Sequence, residues 1–332
     1  VEHKTRKLLA SLSEQYFELI IYPTEKCNFR CIYCYESFDL GKMPFELQSS
    51  IKTLLSNNIP RLTTLSLSFF GGEPTLAIDV ISNISGHASK MCKLHNVKLV
   101  GSMTTNGYKL TPELMNELVD LGITEYQISL DGTREAHDST RVTASGNGTF
   151  SKIWSNLIDL QASYLQFNIV LRVHVTSNNF NSVKQLLLEI KEQFGNDTRF
   201  NVFIKPIENL GGSNKHIPVL NKNSRKSKMG ELNDILASTQ KASKDRLKLC
   251  YASRVNSFAV RADGRIQKCT VKLEDPNNTV GQLNTDGTME LDTNKLKKWM
   301  RGYSDGDLTV LSCPANNFPK NQGVNSIEIV EL

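Results

Sequence analysis

Short apolar runs alternate with longer amphipathic stretches from residue 16 to residue 204. Residues 16–22, 65–70, 97–104, 123–130, 167–175 and 199–204 read as strands, and 45–55, 76–94, 150–163 and 182–194 carry the spacing of helices. A further helix is expected after Thr111, which supplies an N-cap with Pro112 at the first helical position. Repeated β/α alternation predicts an α/β chain with a parallel sheet and helices outside it. Chemistry then belongs at the C-terminal ends of the strands, where the connecting loops gather.

After Pro206 the pattern changes. Gly211-Gly-Ser-Asn and the basic stretch that follows read as a linker or loop, with one helix over residues 229–236. From Cys250 onward short strands and turns take over, at 255–261 and 265–270, with Ala262-Asp-Gly and Asp286-Gly as hairpin turns. The boundary between the two parts is expected near residue 240.

Composition narrows the classes. With 39% hydrophobic residues the chain can bury a large core, and no run of 18 apolar residues predicts a membrane span. The first residues lack an apolar signal core, and the odd set of seven cysteines fits a reducing compartment, so a cytoplasmic location is expected. The net charge of +5 is concentrated in the basic stretch at 222–248, which reads as a solvated face. No segment interleaves basic and aromatic side chains as a nucleic-acid platform would, so neither nucleic acid nor membrane is expected as a partner.

The chemistry starts in the loop after the first strand, where Cys27-x3-Cys31-x-Tyr33-Cys34 places three thiols within one turn of chain. Three thiolates can ligate three irons of a 4Fe-4S cube and leave the fourth iron open to a substrate or cosubstrate. A structural zinc loop is the competing reading. It requires four closed ligands, and no fourth cysteine or histidine lies close in sequence.

Three further motifs follow successive strands: Phe70-Gly71-Gly72-Glu73-Pro74, Thr104-Thr105-Asn106-Gly107, and Ser129-Leu130-Asp131-Gly132 with His137 and Arg141 after it. With the cysteine loop they resemble the radical S-adenosylmethionine (SAM) enzymes, in the branch with a C-terminal SPASM or Twitch auxiliary-cluster domain. The resemblance implies a partial (β/α)6 TIM-like barrel over residues 16–240, after an N-terminal extension at 1–15. A small Twitch/SPASM-like domain is implied for 241–332. It implies a 4Fe-4S cluster on Cys27, Cys31 and Cys34, and SAM held by Tyr33, Gly71, Gly72, Glu73, Ser129 and Arg141. Tyr33 would meet the adenine, Glu73 and the Gly-Gly carbonyls the ammonium group, and Ser129 and Arg141 the carboxylate. The two glycines would let the backbone approach the ligand. Reductive cleavage of SAM then gives a 5'-deoxyadenosyl radical that abstracts hydrogen from a substrate.

Cys250-x13-Gly264-x4-Cys269 resembles the opening of the auxiliary domain, and Cys313 is the one further cysteine available to it. Three ligands suffice for one auxiliary 4Fe-4S cluster and not for two; a degenerate domain without a cluster is the alternative. Cys92 reads as a buried helix residue. Relatives of this branch mostly modify peptides, so a ribosomally made precursor peptide is the expected substrate, modified by cross-linking, thioether formation or epimerisation. A separate leader-recognition protein and a low-potential reductant such as flavodoxin or ferredoxin would assist. Alternatives are a formylglycine-forming sulfatase maturase, a small-molecule radical SAM dehydrogenase and a non-catalytic iron–sulfur protein. Thr270 stands where sulfatase maturases carry a proton-accepting Asp, which favours the first reading.

Overall fold

The computed structural model describes residues 8–211, 216–236, 249–316 and 318. The expected boundary near residue 240, part of the Gly211-Gly-Ser-Asn segment, the end of the basic stretch and the first residues of the chain lie outside them.

The six expected strands form one parallel sheet. They are β1 (Tyr16–Ile21), β3 (Thr64–Phe69), β4 (Lys98–Thr105), β5 (Ile123–Leu130), β7 (Asn168–Val175) and β8 (Phe200–Pro206), hydrogen-bonded in that order. Their helices follow the predicted periodicity. In α1 (Phe45–Asn58) the buried apolar residues are Leu47, Ile51, Leu54 and Leu55, one stripe at i, i+4, i+7 and i+8. In α2 (Ile78–Leu94) the stripe runs from Val80 to Cys92, and Cys92 is buried as expected. The helix α3 (Pro112–Asp120) starts at Thr111, whose side chain accepts a hydrogen bond from the Leu114 N–H.

Three short elements escaped the sequence pattern. Strands β2 (Phe29–Cys31) and β6 (Arg141–Thr143) pair antiparallel as a separate ribbon, and α4 (Arg134–Thr140) leads into the second of them. Three-residue strands carry no legible period. Helix α5 (Phe150–Ala162) follows the Gly146-Asn-Gly148 turn, and Asp138 accepts from the Thr149 and Phe150 N–H groups at its start. Helix α6 (Phe180–Phe194) begins two residues before its predicted start. Helix α7 (Lys222–Leu236) begins earlier than the predicted 229, because it buries only Leu232 and Leu236 and so has almost no apolar stripe to read.

The C-terminal strands are continuous with the same sheet. Strand β9 (Ser257–Val260) lies parallel to β1, with Glu18 opposite Ser257 and Ile21 opposite Val260. From there β10 (Arg265–Gln267), β11 (Thr279–Leu283) and β12 (Met289–Leu291) extend it antiparallel, giving ten strands. The turn between β11 and β12 holds Asp286-Gly287, as expected from the hairpin signal. Helices α8 (Thr293–Met300) and α9 (Leu308–Ser312), capped by Asp292 and Asp307, close the chain.

One buried ion pair locks the two ends together. Glu25, in the loop after β1, accepts from Arg261, at the end of β9, through both carboxylate oxygens, with Nε at 2.8 Å. The side chains are 2% exposed on both sides. Breaking a buried pair leaves one charge without its partner, at a cost of about 3–5 kcal/mol. Glu25→Gln is therefore expected to lower the unfolding free energy by about 3 kcal/mol or more in chemical denaturation. A loss below about 1 kcal/mol would show that the pair does not anchor the loop.

Candidate active site

At the C-terminal edge of the sheet the loops after β1, β3, β4 and β5 enclose one cavity. Its wall includes Cys27, Cys31 and Cys34, Tyr33, Gly71, Gly72, Asn106, Ser129 and Arg141. Eight of the nine residues expected at the SAM and first-cluster site therefore share one pocket; Glu73 does not reach it. All three thiols are free of disulfides. Burial pushes Cys27 and Cys34 up to about 12, and it raises Cys31 as well, against the neighbouring charge of Arg141. Among the described residues no three His, Cys, Asp or Glu side chains converge tightly enough for a single metal ion.

Local folding brings Arg141 to the thiols. In the β2–β6 ribbon Cys31 lies directly opposite Arg141, and the Ile32 N–H donates to the Thr140 carbonyl at 3.0 Å. Arg141 is buried, donates through Nη1 to the Tyr33 hydroxyl at 2.8 Å, and has no partner for Nε. Its guanidinium lies over the Phe29 ring at 5.8 Å. A buried guanidinium N–H without a partner is costly unless a ligand accepts from it. Ser129, at the end of β5, faces the same space. The donor set and the orphaned Nε–H thus fit a cluster carrying an amino-acid ligand.

The glycines are needed for a reason other than the expected one. Gly71 has φ +116°, and a Cβ there would lie 2.5 Å from the Thr24 carbonyl oxygen. At Gly72 a Cβ would collide with the Lys26 carbonyl oxygen and sit 2.6 Å from that of Glu25. The clash is with the cysteine loop itself. Hydrogen bonds from the Gly72 and Glu73 N–H groups to the Thr24 and Lys26 carbonyls, at 3.3 and 3.0 Å, hold the two loops in this close contact.

Glu73 also differs from expectation. It is fully buried, and Oε1 accepts from the Thr75 N–H and the Thr75 and Thr105 hydroxyls at 3.1, 2.6 and 2.6 Å. Its Oε2 accepts from the Asn106 N–H at 2.7 Å. The carboxylate is consumed in joining the second motif to the third. Asn106 in turn donates through Nδ2 to Asn28 at 2.8 Å, inside the cysteine loop.

Asp131 is a second hub. Its Oδ1 accepts from Tyr33 at 2.8 Å and from His174 Nδ1 at 3.2 Å, and its Oδ2 from Thr140 at 2.7 Å. Burial alone would raise this carboxyl. The His174 hydrogen bond and the charge of Arg141 outweigh burial and hold it well below the ordinary carboxylate range. His137 accepts from the Asp131 N–H and meets the Thr149 hydroxyl, and burial, with Arg141 nearby, lowers it to about 4.

Sequence reasoning missed several residues here. Glu36 lines the cysteine cavity, and its Oε2 is buried without a partner. Burial, with the charge of Glu25, pushes it up to about 8. Arg172 and His174 also went unread, although two polar residues at alternate positions of an otherwise apolar strand signal one shared face.

The second cysteine set lies in one region of the C-terminal segment. Cys250 precedes β9, Cys269 follows β10 and Cys313 follows α9; the Cys250 N–H donates to the Leu311 carbonyl at 2.9 Å. Burial pushes Cys250 up to about 11, reinforced by the adjacent Cys269 and Cys313. The Tyr251 hydroxyl accepts from the Thr270 N–H and meets its hydroxyl, both at 2.8 Å, which fixes the segment after Cys269.

The radical SAM superfamily profile matches residues 21–192, more than half of the chain, and this protein belongs to that superfamily. Members use a 4Fe-4S cluster and SAM. A cysteine-type anaerobic sulfatase-maturating enzyme of Clostridium novyi is 28% identical over 210 residues, covering 60% of this chain and 54% of that protein. A PqqA peptide cyclase of Bradyrhizobium diazoefficiens is 29% identical over 43% of this chain and 36% of its own length. The chain thus spans about half the length or less of these curated relatives. Among solved structures, native anSMEcpe with bound AdoMet aligns with a TM-score of 0.65 at 22% identity, over 86% of this chain and 82% of that one. SuiB of Streptococcus suis aligns at 0.56 and 14% identity, over 92% and 71%. At these identities the structural likeness speaks to the fold, a mixed α/β partial barrel. No helix among the described residues is long and apolar enough to cross a membrane.

Gly72→Ala tests the loop contact. The methyl group has to displace backbone, so a stability loss of about 1–3 kcal/mol is expected, together with reduced iron uptake on reconstitution. Wild-type stability and iron content in that variant would show that the two loops can separate freely.

Proposed function

We propose that this chain is a radical SAM enzyme that modifies a ribosomally made peptide. In this reading Cys27, Cys31 and Cys34 hold the 4Fe-4S cluster, and Cys250, Cys269 and Cys313 hold one auxiliary cluster. The observation that carries it is the relation between the two cysteine sets. A second cavity shares Tyr33, Tyr35, Thr104 and Ser129 with the cysteine pocket, and its far wall is Thr270 and Val271, directly after Cys269. A substrate in that second cavity would lie between the two thiol sets.

When bound, the cluster and SAM supply a carbon radical that takes a hydrogen atom from the substrate. The protein's own part is placement. Arg141 would pair with the SAM carboxylate, whose oxygens suit its planar fork, and Ser129 would add a hydroxyl. The Gly71–Gly72 backbone would accept from the ammonium group, and Tyr33, fixed by Arg141 and Asp131, would border the adenine. The C-terminal segment from residue 241 would act as the Twitch/SPASM-like unit, and the second cluster would meet the substrate or accept its electron. A separate leader-recognition protein and a flavodoxin- or ferredoxin-type reductant complete the reading. The relatives named a sulfatase-maturating enzyme and a peptide cyclase both support a peptide substrate. Thr270, which cannot serve as a carboxylate proton acceptor, favours the second kind.

Anaerobically reconstituted, reduced protein is expected to release 5'-deoxyadenosine from SAM, and replacing Cys27, Cys31 and Cys34 together by Ala is expected to abolish release. Persistent cleavage in the triple variant would remove the cluster assignment. Iron analysis addresses the second set: about eight irons per chain are expected for two cubes, falling to about four when Cys250, Cys269 and Cys313 are replaced. Wild-type protein with about four irons would leave a one-cluster enzyme.

A further inference from the structure

We propose that the cavity beyond the cysteine pocket is a substrate subsite for a carboxylate, with Arg172 as its anchor. This rests on the peptide-maturase reading and adds the chemistry of the group recognised.

Arg172 lies half-buried near the C-terminal end of β7 and lines this cavity of about 220 Å³, which is in part open to solvent. Its Nε–H donates to His174 Nε2 at 3.0 Å, and its Nη1 reaches Gln127 at 3.4 Å. His174 is in turn held by Asp131, so the guanidinium is braced by the network that fixes Tyr33 and Arg141. No carboxylate among the described residues lies within ion-pair distance of Arg172. The other two charged residues on the wall, Lys205 and Glu208, pair with each other at 3.1 Å, and Glu208 also accepts from Arg225 at 2.9 Å. The lining therefore carries one guanidinium that makes no ion pair with a protein carboxylate, Glu208 attracting it only from a greater distance.

Partly desolvating a cation without a counter-ion is unfavourable, and a positioned guanidinium fork is geometrically matched to a carboxylate. SAM's own carboxylate is not the expected occupant. Arg141 stands on the cysteine pocket for that role, and Arg172 does not line that pocket. Because Ser129 and Thr104 belong to both cavities, a carboxylate on Arg172 would set the neighbouring carbon atoms of the substrate beside the SAM site. The group is either the side chain of an aspartate or glutamate in the peptide or a chain-terminal carboxylate.

The test is saturation-transfer NMR on reconstituted protein with SAM present, using three probes. N-acetylaspartate α-amide carries a side-chain carboxylate, N-acetylleucine a terminal one, and N-acetylasparagine amide neither. Saturation of one acid probe is expected, with at least about fivefold less for the neutral amide, the loss of a charge-assisted hydrogen bond. The responding acid identifies the source. Arg172→Gln is expected to remove the preference. Should that variant not fold, Arg172→Lys carries the test, because it keeps the charge and loses the two-pronged contact, lowering saturation by about threefold. Equal saturation by the neutral amide, or an undiminished preference in a folded variant, would overturn the proposal. So would loss of SAM affinity in equilibrium dialysis without loss of acid binding, which would assign Arg172 to SAM. Acid binding that depends on Arg172 in wild-type protein unable to cleave SAM would instead defeat the functional reading and leave the subsite standing.

Discussion

The Glu25–Arg261 ion pair is the constraint on which the site depends. Residues 22–36 must carry three thiols through a loop with no long ladder to hold it. Its pairing is limited to the three-residue β2 and one isolated bridge between Thr24 and Lys42. Two charges taken from water hold each other in place, because Glu25 cannot move without losing its buried partner and Arg261 would keep only the solvent-exposed Glu274 at 3.4 Å. Arg261 is itself fixed at the end of β9, which runs parallel to β1. The cysteine loop is thereby tied to the C-terminal strands and not only to the barrel that precedes them.

Around that anchor, two buried carboxylates do the joining. Glu73 gathers the strand ends of β3 and β4 through four hydrogen bonds, and Asp131 gathers β5, α4 and β7 through Tyr33, Thr140 and His174. Fully satisfied buried networks of this kind specify one arrangement, and a missing member leaves an uncompensated charge. The motifs are separate in sequence and one object in space. The acidic residues of the motifs serve the framework, while the cavity is faced by the three thiols, the Arg141 guanidinium, hydroxyls, backbone and the carboxyl of Glu36 from outside the motifs.

Much of this was legible beforehand. The parallel strands and the motif after each came from apolar runs and turn residues, and the cavity brings together all the expected SAM and first-cluster residues apart from Glu73. What could not be read has physical causes. A carboxylate that binds its neighbours looks the same in sequence as one that binds a ligand, so Glu73 was misplaced. The glycines were recognised as close-approach positions, but only coordinates show that Thr24, Glu25 and Lys26 are what they approach. The facing of Cys31 and Arg141 arises from strands too short to have a period. Helix α7 was shortened because a mostly solvated helix lacks the apolar stripe that marks one.

The attachment of the C-terminal strands to β1 has a further consequence. Strand β1 delivers Cys27 within six residues of its end, and Cys250 precedes β9 while Cys269 follows β10, the strands that continue the same sheet. The parallel β1–β9 pairing ties the C-terminal strands directly to the strand that leads into the cysteine loop. Tyr22, at the end of β1, reinforces it: its hydroxyl donates to the Thr270 carbonyl at 3.4 Å, and its ring meets Phe70 edge-on at 5.6 Å. The walls of the second cavity come from strand ends of this sheet and from Thr270 and Val271. Selectivity must then come from the few polar groups on those walls. Arg172 is the one among them that is braced from behind by His174 and Asp131 and makes no ion pair with a carboxylate of the wall.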